Sequence, residues 1–181
     1  LLVRVPALAE ESQYLGHVTP VVQRALGEPG VAAHADPPEI FPKSFDDAFY
    51  RRRCGARLEH VLEALEGYRR AGVWLEVTTL VIPGENDDPG ELRELAAWLV
   101  ANLGPDTPWH VSRFYPAFRM MDHPPTPLAT LRRAAEIGRE AGLRYVYVGN
   151  APELAMEDTR CTGCGALLIA RRGYRVDRRL T

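Results

Sequence analysis

From Ser44 onward the apolar positions fall into two alternating rhythms. Leu58, Val61, Leu62, Leu65 and Tyr68 or Arg69 recur at i, i+3, i+4, i+7 spacing, which is one face of a helix. Gly72 follows as its C-cap. VWLEVTTLVIPG is rich in β-branched residues and bounded by Pro83-Gly84, so it reads as a strand. DDPGELRELAAWLVANLG predicts a second helix, started by Asp88-Pro89 and closed by Gly104. WHVSRFYP is a second strand. TPLATLRRAAEIGREAG is a third helix, with Thr126 as N-cap, Pro127 at N1 and Gly142 at its end. LRYVYVGN is a third strand. Ahead of them, SFDDAFYRRRCG opens a helix with Ser44 as its cap and acidic residues in the first turn.

Strands separated by full helices lie parallel, with right-handed crossovers. The class is therefore α/β, and the strands suit a parallel sheet covered on its outer face by helices. A closed barrel of eight units needs more than about 200 residues, and this chain has 181. The expectation is part of a barrel or a small open sheet. Residues 1 to 42 form a poorly patterned segment. VTPVVQRALG allows a short helix there, but GEPGVAAHADPPEIFP is broken by glycine and four prolines. Residues 43 to 158 carry the α/β units. Residues 159 to 181 break the alternation: a Cys161-x-x-Cys164 turn is followed by ALLIA and GYRV, joined through Arg171-Arg172-Gly173 as a hairpin.

Composition narrows the function classes. Hydrophobic residues make up 46% and charged residues 25%, which are globular values. With 22 basic against 24 acidic residues the formal net charge is -2, so charge offers no argument for nucleic acid or an anionic membrane. No apolar run is long enough for a membrane span. Three cysteines make a disulfide framework a poor expectation and a reducing cytoplasm the better one. Lys43 is the single lysine.

Ligands of parallel α/β sheets bind beyond the carboxyl ends of the strands. This singles out residues 82–88, 112–116 and 149–150. Within the strands, Glu76 and Thr78 share one face by two-residue alternation, as do His110 and Ser112. A carboxylate and an imidazole inside such a fold line a polar cavity or are satisfied structurally. Asn86 and Asp87 suit either a ligand or plain turn chemistry. His17, His34, His60 and His123 read as solvated. The CxxC turn followed by a hairpin points to a metal knuckle, with zinc the candidate, rather than to a redox dithiol, which normally opens a helix.

KSFDDAFYRRRCGARLEHVLEALEGYRRAG, EVTTLVIPGENDDPGELRELAAWL, WHVSRFYPAFRM, GLRYVYVGN and TRCTGCGALLIARRGYRV, in this order, resemble successive blocks of radical S-adenosylmethionine enzymes. They are most similar to the AmmeMemoRadiSam branch, related to the pyruvate formate-lyase activating enzyme. The resemblance runs from about Lys43 to the end. It implies a partial (β/α) barrel of the radical S-adenosylmethionine type. It also implies a [4Fe-4S] cluster held by a CxxxCxxC loop, with S-adenosylmethionine on the open iron. Reductive cleavage then yields a 5′-deoxyadenosyl radical that takes hydrogen from a substrate, in the activating enzymes a glycine of a partner protein. By the same resemblance Lys43 contacts the methionyl group of the cofactor. Glu76, Thr78 and His110 face the interior near cofactor or substrate, Asn86 lies in the loop after its strand, and Tyr115 lies at the rim.

The sequence departs from that pattern. No CxxxCxxC occurs in it, and Phe41 stands where the family's Asp-x-Lys places aspartate. HADPPEIFP does not look like the strand expected there. The chain is thus expected to be the later portion of such an enzyme, incomplete at the N-terminus and incompetent alone, with sheet edges that favour oligomers. Two other readings stay open: a non-catalytic zinc-knuckle module on an α/β scaffold, and an α/β lyase or hydrolase with Glu76 and His110 as acid and base.

Overall fold

The computed structural model describes residues 39–40, 42–173 and 175–179. The first forty-one residues, apart from 39–40, lie outside it, and with them the possible helix at 18–27, His17, His34 and Phe41. A short strand β1 (Glu39–Ile40) leads to α1 (Asp47–Phe49), which runs on as a π-helical turn at Tyr50–Cys54. Then come α2 (Leu58–Arg70), β2 (Glu76–Val81), α3 (Pro89–Asn102), β3 (Trp109–Arg113), α4 (Leu128–Glu140) and β4 (Val146–Gly149). The tail forms β5 (Thr159–Arg160), β6 (Leu167–Arg172) and β7 (Arg175–Arg178). No described helix is long and apolar enough to cross a membrane.

Among the described residues the strands β1 to β4 make one parallel sheet in sequential order, with β1 and β4 as its edges. This is a four-stranded sheet rather than a demonstrated barrel. β1 corrects the sequence reading, which saw no strand in HADPPEIFP: Glu39 pairs with Glu76 and Ile40 with Val77. Two residues between prolines are too few to show a period. At the other edge Val148 donates to the carbonyl of Met156 (3.0 Å), so the chain itself meets that edge there.

The two sheet faces differ sharply. Val77, Thr79 and Val81, Trp109 and Val111, and Val146 and Val148 are all buried on one face. Against that face pack Val61 and Leu65 of α2, Leu92, Leu95, Ala96 and Leu99 of α3, and Leu131, Ala134, Ala135 and Ile137 of α4, in one continuous core. For α2 this is the helical period read from sequence. Trp109 lies so close to α4 that a Cβ on Gly138 would stand 2.7 Å from its ring. The opposite face carries Glu76, Thr78 and Leu80, then His110 and Ser112, then Tyr147 and Gly149, and is mostly half-buried.

Helix ends follow the sequence in part. Asp88 caps α3 through the amides of Gly90 and Glu91, with Pro89 at the first turn. Gly72, Gly104 and Gly142 each lie just past a helix, with φ of 72°, 99° and 109°. Two caps differ. Asp46, not Ser44, caps α1; the buried Ser44 hydroxyl instead donates to Glu91. Pro127, not Thr126, stands at the start of α4. The Thr126 hydroxyl donates to the Val81 carbonyl (2.6 Å) and accepts from the Phe114 amide (2.9 Å), tying together the ends of β2 and β3.

Candidate functional site

Parallel register places side chains in rows across the open face. Thr78 pairs with His110, and His110 with Tyr147; Leu80 pairs with Ser112, and Ser112 with Gly149. The first row and Glu76 lie toward the amino ends of the strands. The second row lies toward the carboxyl ends, where loops converge.

In the lower part, His110 Nε2 lies 2.8 Å from Glu76 Oε2. This hydrogen bond holds the Glu76 carboxyl below its usual range, against the opposing effect of burial. The imidazole stacks on Tyr147 at 5.1 Å between ring centroids. On the same ring, Arg171 of β6 lies 5.5 Å from the centroid. Tyr147 and Arg171 both reach the Thr159 hydroxyl, at 2.9 and 2.7 Å. The alternation of polar residues put Glu76 with Thr78 and His110 with Ser112; the parallel register is what brings Glu76 and His110 together. Alternation did not reveal Tyr147 or Arg171, although Tyr147 follows from it once β4 is in register.

The carboxyl-edge group comprises Lys43, Asn86, Ser112, Tyr115 and Asn150. Lys43 follows β1 by three residues. Its amide donates to the Tyr50 hydroxyl at 2.8 Å, and its carbonyl accepts from the Asn86 side chain. Asn86 is buried and its amide is fully engaged: the oxygen accepts from Ile82 N (2.6 Å), and the nitrogen also donates to Leu80 O (2.9 Å). Its direct role is to hold the loop after β2 against Lys43. Thr78 is buried on the open face. Tyr115 is half exposed; its hydroxyl accepts from Arg113 (2.9 Å) and donates to the Asn150 carbonyl (3.3 Å). Asn150 adopts φ of 57° and donates to Ser112 Oγ at 3.2 Å, a left-handed position that asparagine tolerates well.

A second charged cluster stands in the loops at this edge. Glu85, with only 7% of its side chain exposed, pairs with Arg53 and reaches Arg52 (3.5 Å) and His123 Nε2 (3.5 Å). His123 is therefore not a solvated histidine; Nδ1 also lies 3.2 Å from the Pro83 carbonyl. The Arg53 hydrogen bond holds the Glu85 carboxyl below its ordinary range. No local pattern announced this cluster, whose members come from the π-helical turn at Tyr50–Cys54 and two separate loops. His60 is exposed on α2, 3.6 Å from Glu63.

Cys161 and Cys164 sit on the turn between β5 and β6. Cys54 is part-buried against the core. No group of three or more His, Cys, Asp or Glu side chains able to hold a metal occurs among the described residues.

No family model matches the sequence. An uncharacterized protein of Methanocaldococcus jannaschii is 45% identical over 123 residues, which are 68% of this chain and 37% of that protein. The chain thus matches little more than a third of its relative's length. A domain of pyruvate-formate lyase-activating enzyme from Bacteroides vulgatus aligns with a TM-score of 0.58 at 14% identity, over 79% of this chain and 93% of that one. A radical SAM methyltransferase from Sphaerobacter thermophilus aligns with a TM-score of 0.53 at 18% identity, over 82% of this chain and 41% of that one. At these identities the likeness is one of architecture: the chain has the α/β fold found in an activating-enzyme domain and in part of a radical SAM methyltransferase.

Proposed function

We propose that this chain is the cofactor- and substrate-facing part of a radical S-adenosylmethionine enzyme of the AmmeMemoRadiSam branch. The observation that carries the reading is the asymmetry of the sheet. One face is buried under helices and, Thr79 apart, apolar, while the other gathers Glu76, Thr78, His110 and Ser112 below a polar carboxyl edge. The cluster of the family does not fit the residues present. Cys54, Cys161 and Cys164 form no CxxxCxxC, and no triad of ligands converges among the described residues. The chain's own contribution is to bind and orient.

In this reading Lys43 pairs with the carboxylate of the methionyl group. Asn86 acts through Lys43, because it anchors that residue's main chain to the loop after β2. Tyr115 offers a hydroxyl at the edge, and Thr78 lies deeper on the open face, in the row of His110. Glu76 and His110 lie deeper on the same face, on the side of the substrate. The substrate of the whole enzyme, a glycine-bearing partner protein by the activating-enzyme analogy, belongs to the same proposal. Titration of the chain with S-adenosylhomocysteine tests it. Lys43→Ala is expected to weaken binding about tenfold or more, the worth of one charge-assisted hydrogen bond. Equal affinity in both forms, or none in either, rejects the reading.

The 2.8 Å contact between His110 and Glu76 favours a second reading, an acid–base pair in a lyase or hydrolase. Turnover without S-adenosylmethionine that disappears in both Glu76→Gln and His110→Ala distinguishes it.

A further inference from the structure

The open face of the main sheet continues into the tail sheet through one ring. Tyr147 of β4 stacks on His110 of β3. The tail holds that tyrosine twice: Thr159 of β5 hydrogen-bonds its hydroxyl (2.9 Å), and the Arg171 guanidinium of β6 lies over its ring at 5.5 Å. Arg171 is itself fixed. Its guanidinium donates to the Glu157 carbonyl (2.9 Å) and to the Thr159 hydroxyl (2.7 Å), and its main-chain amide donates to Asp158 (2.8 Å). A cation over a tyrosine face is drawn to the ring quadrupole, so a fixed arginine restrains the plane against which His110 stacks.

The two nitrogens of that imidazole have different surroundings. Nε2 lies 2.8 Å from one oxygen of Glu76, whose other oxygen accepts from Trp74 Nε1 (3.4 Å). An ionised carboxylate only accepts, so Nε2 carries the proton and the lone pair of the uncharged ring is at Nδ1. Among the described residues Nδ1 has no hydrogen-bond partner, and the His110 side chain is 31% exposed. Glu76 precedes by two residues Thr78, the register partner of His110, so Nε2 aims toward the amino ends of the strands. The second ring nitrogen faces away from the first, toward the carboxyl edge. There Gly149, the next residue of β4 on this face, carries no side chain to cover the two rings.

We propose that the tail sheet is part of the site and that Arg171 is a positioning residue. Through Tyr147 it holds the His110 ring so that Nε2 bonds Glu76 and Nδ1 is offered as an acceptor to an N–H or O–H of the bound molecule. Two residues of strand, about 7 Å, separate His110 from the Ser112 row, so the group that makes this bond reaches below the edge. A buried end that is an amide, amine or hydroxyl satisfies Nδ1; an ether, thioether or carboxylate has no proton to give it. This assignment rests on the reading that the open face binds a ligand, yet the state of the ring is measurable without one.

Long-range proton–nitrogen correlation of the histidine rings in the full chain, at about pH 8.5 and well above the ordinary histidine value, reads the tautomer. His110→Gln identifies the His110 signals among the five histidines. The unaltered chain is expected to show Nε2 protonated and Nδ1 unprotonated. Arg171→Met and Tyr147→Leu are each expected to move the two nitrogen resonances toward one another, as the tautomers mix. Arg171→Lys, which keeps the charge, is expected to retain most of the separation, and Arg175→Met all of it. Diethyl pyrocarbonate, which acylates an accessible imidazole lone pair, is expected to modify His110 under conditions that modify the exposed His60. A His110 ring protonated at Nδ1 in the unaltered chain overturns the proposal, as does a His110 that the reagent leaves untouched. So do unchanged resonances in Arg171→Met and Tyr147→Leu chains that circular dichroism shows to be folded. An Arg175→Met chain that loses the separation as fully as Arg171→Met overturns it too, because the effect then belongs to the tail as a whole. Failure of the S-adenosylhomocysteine titration with the tautomer as expected rejects the cofactor reading and leaves this geometry standing.

Discussion

Trp109 and Glu85 show how single residues set this structure. Trp109 is fully buried, and its indole donates to Thr79 Oγ1 (3.0 Å), which in turn donates to the Pro42 carbonyl (3.0 Å). Gly138 leaves its ring room. Gly138→Ala is expected to cost about 1–3 kcal/mol by overpacking, read as a lower urea midpoint followed by tryptophan emission. An unchanged midpoint would mean that α4 can shift away freely. Glu76 and Glu85 titrate below their ordinary range, through hydrogen bonds from His110 and Arg53 respectively. A carboxyl depressed in the folded state contributes stability above its unfolded value, near pH 4.3. That stability is lost as pH falls through the folded value. Thermal melts are therefore expected to drop below about pH 4.3, and Glu85→Gln is expected to flatten that drop. A variant melting curve that follows the parent's across the whole acid range would contradict this. That Glu76 shares a face with Thr78, and His110 with Ser112, was legible because alternation acts within each strand; the Glu76–His110 contact was not, because it needs the register between strands. Glu85 with His123 was not, because it joins residues 38 apart through loops that carry no period.

At the level of elements, the helices were the most legible part. The buried Leu58, Val61, Leu65 and Tyr68 of α2 fall where the 3.6-residue rhythm put them, and Asp88-Pro89 signalled the start of α3. Asp88→Ala is expected to cost about 0.5–2 kcal/mol by freeing the amides of Gly90 and Glu91. Two cap readings failed for one reason: Ser44 and Thr126 have local sequence suited to capping, but long-range partners claim their hydroxyls. Thr126→Val keeps the shape, yet strands the Phe114 amide and the Val81 carbonyl. Denaturation should report a loss of about 1–3 kcal/mol, well beyond that of a surface threonine. A loss within about 0.5 kcal/mol would show that the β2–β3 tie carries no weight. β1 escaped notice because its pairing with β2, not its own composition, makes it a strand.

On the scale of the whole molecule, a sequential parallel sheet presents one apolar face to three helices and one polar face to whatever it binds. The tail sheet touches that polar face through Arg171 and Tyr147. The central claim is that a cofactor meets this face at its carboxyl edge. Backbone amide shifts of the isotopically labelled chain, recorded while S-adenosylhomocysteine is added, test it most directly. The account predicts that the moving resonances gather at Lys43, Ser112, Tyr115 and Asn150, with the outer surfaces of α2, α3 and α4 still. Shifts confined to those helices, or no shifts at saturating ligand, would contradict it.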